Sequence, residues 1–577
     1  MNKKSINILE ELNKINFINV YNFQNGNSSK LLNQYGEEIF ERNKIKNQFN
    51  KESKKLFNEF INLLNQYLGV KYDENYWRIL IGPWFFVCVE TLYNRVNSLS
   101  SFIKLNSNLT YIFENLKKDE FVTNTNLDFN NKLCSVNWNQ LVIYKIIKNL
   151  NEKYTLIYTK NFKINLKKKF FFSLYLKNKI KFFLSKFLFL LNKFNKKLIF
   201  NTSLNSLDEI KLQIKVMKIP LFYLPDFFYG LQMKFKYNLK LRSNLINQFV
   251  KKEDDSKKKI IKKILIENLP TIYLENYEFF YKKIDESTSF DLIATSQHFD
   301  FNEYYKFLAS KNYLNNCKLI YFQHGNVDGV DKFDVYNNHI KSSTKYYTWG
   351  WNHQFHDELN SKKKNIQKFY NIKSSGQKKF YLNNNFRNEL IFFTCPIYKG
   401  IYFWDIQKKN QNLFNNQIKF LKELKQKIVS NIKIKYHPDE ESYNKILSSK
   451  ISDLNIHVKN EYNYKKISNY NNILSVYSYD STGFYEHIAL NKPTILYVEN
   501  FEENVVEEAI PYYSKLRDVK IIHDNPESAA EFINSNWNNI LQWWYSKNTQ
   551  ESLKVFSEKF SRYTDKPYKK IFDELNK

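Results

Sequence analysis

Ile432-Lys433-Ile434-Lys435-Tyr436-His437-Pro438 and, further on, Ile473-Leu474-Ser475-Val476-Tyr477-Ser478-Tyr479-Asp480-Ser481-Thr482-Gly483 are the two stretches that decide how this chain folds. Each is a short apolar, β-favouring run that ends on polar residues, which predicts a strand opening into a loop. Phe484 through Leu490 predicts a helix, and Asn491-Lys492-Pro493 introduces another strand, Thr494 to Val498. Strand, helix and strand in succession imply a βαβ unit and a parallel sheet. In such a sheet ligands bind beyond the carboxyl ends of the strands, where His437 with Pro438 and Ser481 with Thr482 fall. Ser481 and Thr482 also begin a helix, whose free N–H groups and dipole favour a phosphate. Two hydroxyls and an imidazole add further hydrogen-bonding groups. Taken singly, Ser481 reads as a plain helix cap and His437 as part of a turn imposed by Pro438. Together, in this order, they point to a nucleotide-phosphate site.

The same alternation extends outward in both directions. Lys197–Thr202, Asp291–Thr295, Lys318–Phe322 and Tyr346–Trp349 form one series of strand-like runs. Glu389–Thr394, Ile432–Tyr436, Ile473–Val476, Pro493–Val498 and Val519–Ile522 form a second. Two series with a break near 375–388 predict an α/β protein of GT-B-like architecture, two Rossmann-like domains facing a cleft. Residues 1–150 read as a helical N-terminal region. The expected divisions are then 151–380 for the first, acceptor-side domain and 381–545 for the second, donor-nucleotide domain. Residues 546–577 read as a C-terminal helix packing back across the junction.

Gln323-His324-Gly325 follows the run Leu319–Phe322 and opens toward the cleft from the first half. Gly325 allows close backbone approach to a ligand. His324 is a candidate general acid or base, or a donor to a phosphate or an acceptor. Asp328 is a candidate for orienting an acceptor hydroxyl, against the plainer reading of a solvated turn carboxylate. His298, after Asp291–Thr295, is supported by position alone. For Trp349-Gly350-Trp351, core packing around a tight turn outweighs sugar stacking. Arg78 and Arg95, flanking an apolar stretch, read as structural ion-pair partners.

Composition narrows the function classes. The 577 residues carry 88 Lys+Arg against 58 Asp+Glu, a net charge of +30, which raises the question of a polyanionic partner. The lysines are scattered and interleaved with asparagine, so biased composition explains them more simply, and no nucleic-acid-binding signature accompanies them. Cys88, Cys134, Cys317 and Cys395 are widely spaced, which argues against a zinc site or a disulfide framework and for reduced thiols in a cytoplasm. Glu253-Asp254-Asp255 is flanked by lysines and forms no metal motif, so a metal-independent reaction without a cofactor is expected. No signal peptide or membrane-spanning run is apparent. Residues 167–200, rich in Phe, Leu and Lys, fit either an amphipathic helix packed on a sheet or a segment lying on the inner face of an anionic membrane.

The His437-Pro438 pair followed by the Ser481-Thr482 pair resembles the donor site of bacterial sialyltransferases and capsule Kdo transferases. That resemblance implies a CMP-linked acidic sugar, with His437-Pro438 at the CMP moiety, the hydroxyl pair at its phosphate and Glu461 at the ribose. Tyr76-Trp77-Arg78-Ile79-Leu80-Ile81-Gly82-Pro83-Trp84, Trp138-Asn139, Gln323-His324-Gly325, Thr348-Trp349-Gly350-Trp351 and Ser481-Thr482-Gly483-Phe484-Tyr485-Glu486 resemble a family of bacterial O-antigen and surface-polysaccharide transferases. The likeness spans roughly residues 70–500 and groups Glu486 with the donor site and Gln323 and Gly325 with the acceptor cleft. Asn326-Val327-Asp328-Gly329 departs from that family's pattern after Gln-His-Gly. The expectation is a glycosyltransferase acting on a glycan or lipid-linked glycan acceptor from a nucleotide-sugar donor. The alternatives are a UDP-sugar or CDP-polyol donor on the same fold, or a basic nucleic-acid-binding protein.

Overall fold

The computed structural model describes residues 5–15, 39–106, 108–158, 183–192, 194–217, 219–221, 224, 227, 235–284, 288–325, 328–332, 338–352, 365–381, 389–395, 406–430, 432–436, 441–452 and 473–577. Three parallel sheets organise it. The smallest joins β1 (Ser5–Asn7), β2 (Thr110–Glu114) and β3 (Tyr154–Ile157) in that order. The N-terminal region is therefore not purely helical as expected. These strands are short, and their partners lie about a hundred residues apart in the first pairing, with Ser5 opposite Thr110. Such a long-range pairing leaves no local signature.

Three longer helices follow: α1 (Ile39–Leu68) and α2 (Glu74–Leu105), which pack on each other, and α3 (Val136–Asn149), which packs on β2 through Gln140 and Tyr144. Asp73 caps α2 by accepting from Tyr76 N at 2.8 Å, satisfying one of the N–H groups that a helix start leaves free. From Tyr76 onward α2 is buried on nearly every side, which explains why its apolar residues show no single-faced period. Gly82 makes room there for Asn338, since a Cβ would fall 2.3 Å from its Oδ1 and displace that side chain. Arg78 forms the expected ion pair, with Glu74 at 2.5 Å. Arg95 does not: it is 1% exposed and bonds Asn94 and Asn139 rather than a carboxylate, and burial lowers its pKa to about 9.

The second sheet has the order β4 (Lys197–Ile199), β5 (Leu292–Thr295), β6 (Lys318–Phe322), β7 (Lys345–Thr348) and β8 (Ile366–Lys368), all parallel. Helices α4 (Ser206–Met217), α5 (Ser256–Asn268), α6 (Glu303–Tyr313) and α7 (Asn338–Ser342) accompany it. Helix α2 packs against α5, α6 and α7, so the N-terminal helices share the core of this sheet. The third sheet runs β10 (Ile432–Lys435), β9 (Leu390–Phe393), β11 (Leu474–Tyr477), β12 (Thr494–Tyr497) and β13 (Ile522–His523), again parallel. In sequence order that is 2-1-3-4-5, a doubly wound arrangement whose switch point lies between β9 and β11.

All nine expected runs appear as strands, their ends shifted by up to three residues. Strand β8 was not anticipated; it is a three-residue edge strand with one buried position.

Helix α8 (Thr482–Ala489) follows β11, α9 (Ile510–Asp518) follows β12, and α10 (Lys547–Phe560) and α11 (Pro567–Leu575) close the chain. Helix α10 packs on α8 and α9, whereas α11 packs on α4 beside the second sheet. Between them Arg562 N donates to Trp349 O at 2.9 Å, and Thr564 O accepts from Gly376 N at 2.9 Å. The end of the chain thus returns from the third sheet to the second.

Candidate functional site

Three loops at the carboxyl edge of the second sheet meet around one imidazole. After β4 the chain passes through Asn201 and Ser203, and after β5 through His298, all at positive φ (45°, 71° and 76°). Positive φ is uncommon for residues with a Cβ and costs conformational energy that the surroundings must offset. Here the offset is visible. Glu209 of α4 accepts from Thr202 N at 3.1 Å, from the Thr202 hydroxyl and from Gln213 Nε2 at 3.1 Å. Burial raises the Glu209 carboxyl while those hydrogen bonds pull it down. Ser296 Oγ donates to Asn201 O at 2.8 Å and pairs with Ser203 Oγ. His324, after β6, presents Nδ1 to Gln297 Nε2 at 3.3 Å and to Ser203 Oγ at 3.4 Å. The residue remains partly open to solvent, while the surrounding protein still takes water from the ring. Desolvation first, then the Lys373 cation, depress its pKa to about 4, so the imidazole is neutral at physiological pH.

Gln323 fixes this loop. Its Oε1 accepts from Trp349 N at 2.7 Å and Trp351 Nε1 at 2.9 Å, and its Nε2 donates to Gly325 O at 2.7 Å and Asp328 O at 3.2 Å. All the polar capacity of the amide is used, and the residue is 2% exposed. Gln323 is therefore a fastening and not the acceptor-cleft contact that the resemblance implies. Both tryptophans are buried and serve the same fastening, in line with core packing. Asp328 is likewise no solvated turn residue. One of its oxygens accepts from Tyr346 Oη at 2.6 Å and the other lies 3.2 Å from His339 Nε2. Although burial pushes its carboxyl up, His339 and the Tyr346 hydrogen bond outweigh that and hold it below the usual range. With both oxygens engaged beneath the loop, it is not positioned to receive an acceptor hydroxyl. His298 lies against Phe200, with ring centroids 5.5 Å apart, and bonds Asn201; burial depresses its pKa to about 4.

The facing wall comes from the third sheet at its switch point. Ser478 Oγ donates to Phe393 O at 3.1 Å, tying the end of β11 to that of β9. Asp480 accepts from Tyr513 and from Tyr485, the latter at 3.4 Å. Ser481 then takes the N-cap position of α8 with extended backbone, yet its side chain makes no capping hydrogen bond. Other helices of this chain are capped in the ordinary way, by Ser135 on Trp138 N and by Asn525 on Ser528 N. The plain-cap reading of Ser481 is thus not what the side chain does. The two walls touch here: a Cβ on Gly325 would stand 3.2 Å from Thr482 Oγ1, so the absence of a side chain lets the loop approach the helix start.

Cations gather at this point. Glu486, one turn into α8, has its carboxyl raised by burial and pulled down by Lys373, Lys435 and Lys492. Burial lowers Lys373, with Glu486 acting against it, and lowers Lys492 to about 8. Three lysines around one carboxylate leave an excess of positive charge where a helix dipole already favours an anion. Lys435 ends β10, directly before Tyr436 and the His437-Pro438 pair.

Among the sequence candidates, the structure brings together His324, Gly325, Ser481, Thr482 and Glu486, with His298 one strand away. His437, Pro438 and Glu461 lie outside the described residues. Sequence reasoning missed Ser203, Lys373 and Lys492. The Asn-Thr-Ser run after β4 was a discoverable signal, because polar residues at a strand's carboxyl end mark this edge. Lys373 had none, since it sits in the connection between the sheets with nothing to distinguish it from other lysines.

No group of three or more His, Cys, Asp or Glu able to hold a metal occurs among the described residues. Residues 6–575 match the family described as LIC12162 family transferase. No individually curated protein matches the chain.

Proposed function

The chain belongs to the LIC12162 family of transferases, and from that premise we propose that it transfers a sugar from a nucleotide-activated donor to a hydroxyl of a surface glycan, in a GT-B-like cleft. The observation that carries this reading is the meeting of Gly325 and Thr482, which sets the neutral imidazole of His324 opposite an uncapped, lysine-flanked helix start. One wall suits proton transfer and the other suits a phosphate.

In this reading the donor phosphate lies on the N–H groups at the start of α8 and on the Ser481 and Thr482 hydroxyls, with Lys373, Lys435 and Lys492 offsetting its charge. The acceptor oxygen attacks the anomeric carbon and forms the new C–O bond. The bond from that carbon to the phosphate oxygen breaks, and the electron pair leaves with the nucleotide. The acceptor proton passes to Nε2 of His324, which makes no hydrogen bond among the described residues. A weak base is adequate, because the acceptor oxygen becomes strongly acidic as it bonds to carbon. For Nε2 to accept, Nδ1 carries the ring proton and donates it to Ser203 Oγ, with the Gln297 amide turned to present its oxygen to that side of the ring. The acidic-sugar donor with a CMP leaving group rests on the resemblance of His437-Pro438 and Ser481-Thr482 to the donor sites of CMP-sugar transferases, and the excess of cations supports a donor with more than one negative charge.

Thermal-shift titration with CMP, CDP, UDP and GDP tests this reading. Preferential stabilisation by CMP is expected, with RT ln(1 + [L]/Kd) setting its size. Stabilisation by UDP alone transfers the reading to a UDP-sugar, and no response to any of the four refutes the donor site.

A further inference from the structure

Residues 183–192 form a helix leading into β4, and its apolar side chains are on the wrong side. The face toward the protein holds Phe189, 4% exposed and packed edge-on against Phe290 and Tyr304, together with two polar residues, Ser185 and Asn192, both 0% exposed. The outward face carries Leu184, Phe187, Leu190 and Leu191, exposed by 43%, 59%, 45% and 42%. Spacings of three and four place these four on one stripe. A helix docked on a sheet for stability has the reverse arrangement, since each large apolar side chain left in water forgoes the benefit of burial. Contiguous exposed apolar surface of this kind marks an interaction site.

Charge identifies the partner. Residues 153–207 contain 13 lysines and no aspartate or glutamate, although the whole chain has 58 acidic residues in 577. An acid-free stretch of that length departs from the interleaved pattern elsewhere, so composition bias does not account for it. Exposed Phe and Leu with Lys186 on the same side, and lysines before and after, match a helix lying in the plane of an anionic bilayer surface. A second copy fits poorly, because it would bring two chains of net charge +30 together through their most basic segments. No helix among the described residues is long and apolar enough to cross a membrane, which leaves surface contact as the mode.

We propose that the outward face of the 183–192 helix docks this protein on anionic phospholipid. The docking stands independently of the proposed donor site, which lies at the start of α8 beside the third sheet, whereas this helix enters the amino end of β4 in the second.

Co-sedimentation of the full chain with phosphatidylcholine vesicles, with and without phosphatidylglycerol, tests it. Binding to the anionic vesicles, weakened by salt, is expected, with none to phosphatidylcholine alone. Phe187→Ser with Leu191→Ser should lower the vesicle partition coefficient by about tenfold for each side chain removed, while the nucleotide thermal shift stays as in the parent chain. Equal binding by the double variant overturns the proposal. A parent chain that sediments as a dimer, and a variant that sediments as a monomer, overturns it in favour of self-association. Leu190→Cys labelled by a water-soluble maleimide gives the last arm: protection by anionic vesicles supports docking. Protection without vesicles shows the face covered by the chain itself and overturns it.

Discussion

Replacing Gln323 by alanine separates a fastening from a substrate contact. The side chain accepts from Trp349 N and Trp351 Nε1 and donates to Gly325 O and Asp328 O, at 2.7, 2.9, 2.7 and 3.2 Å. Its removal leaves two buried donors without an acceptor, and each such orphan costs about 1–3 kcal/mol. The expected destabilisation is therefore roughly 2–6 kcal/mol, before any allowance for the space vacated. Calorimetry should show the main transition lowered by at least about 4 °C, taking the low end of 2–4 °C per kcal/mol. The loop carrying His324 loses its anchor at the same time, so kcat should fall while the acceptor KM changes little. Gln323→Glu refines the test, since its carboxylate still accepts from both tryptophans but repels the two carbonyls. It should therefore lie between the parent and the alanine variant in stability. An unchanged transition temperature with a raised acceptor KM would mean that the amide faces substrate, and the fastening argument would be wrong.

Ser481→Ala combined with Thr482→Ala should weaken CMP affinity by about tenfold or more per lost hydrogen bond to a charged phosphate. Because Ser481 makes no capping bond, the transition temperature should not show the usual cost of about 1 kcal/mol for a lost cap; calorimetric titration and melting of one preparation measure both. His324→Ala should lower turnover by about 10²–10⁴-fold with little effect on nucleotide affinity. In the parent enzyme kcat/KM should hold level from neutral pH down and fall only as the His324 pKa of about 4 is approached. Lys373→Met removes a cation that depresses that pKa, so the acid limb should move to higher pH; an unmoved limb would show that another group titrates. His487, buried and bonded to Ser475 and Tyr477, has its pKa driven down to about 3 by burial and then by Lys492. A histidine neutral in the fold but protonated when unfolded contributes stability that is complete above its unfolded pKa of about 6.5 and is lost as pH falls toward 3. Denaturant unfolding at pH 7 and pH 5 should show that loss, and His487→Gln should flatten it.

How much of this was legible in the chain follows from the range of the interactions involved. Short apolar runs bounded by polar residues marked all nine expected strands, because a strand buried on both faces must be apolar along its length. Their alternation with helices implied parallel sheets, and that in turn pointed to the carboxyl ends, where the candidates Ser481-Thr482 and His324 fall. Strand order, however, is a long-range property. The crossing of β9 and β10 that creates the switch point left no mark in the runs themselves, nor did the N-terminal sheet, whose strands pair across most of the first 160 residues. Side-chain roles separated in the same way. Nothing local distinguishes Gln323, whose amide is consumed by tryptophans 26 and 28 residues away, from a glutamine facing substrate. Asp328 looked like a turn carboxylate until Tyr346 and His339 closed over it. Lys373 became part of the site only when the connection between the sheets folded past Glu486 and His324. Local sequence determined which elements form and which edge of each sheet bears polar residues, since both follow from burial and backbone periodicity. Which of those residues stay free to do chemistry was decided by the tertiary fold, because hydrogen-bond saturation and desolvation depend on partners far away in the chain.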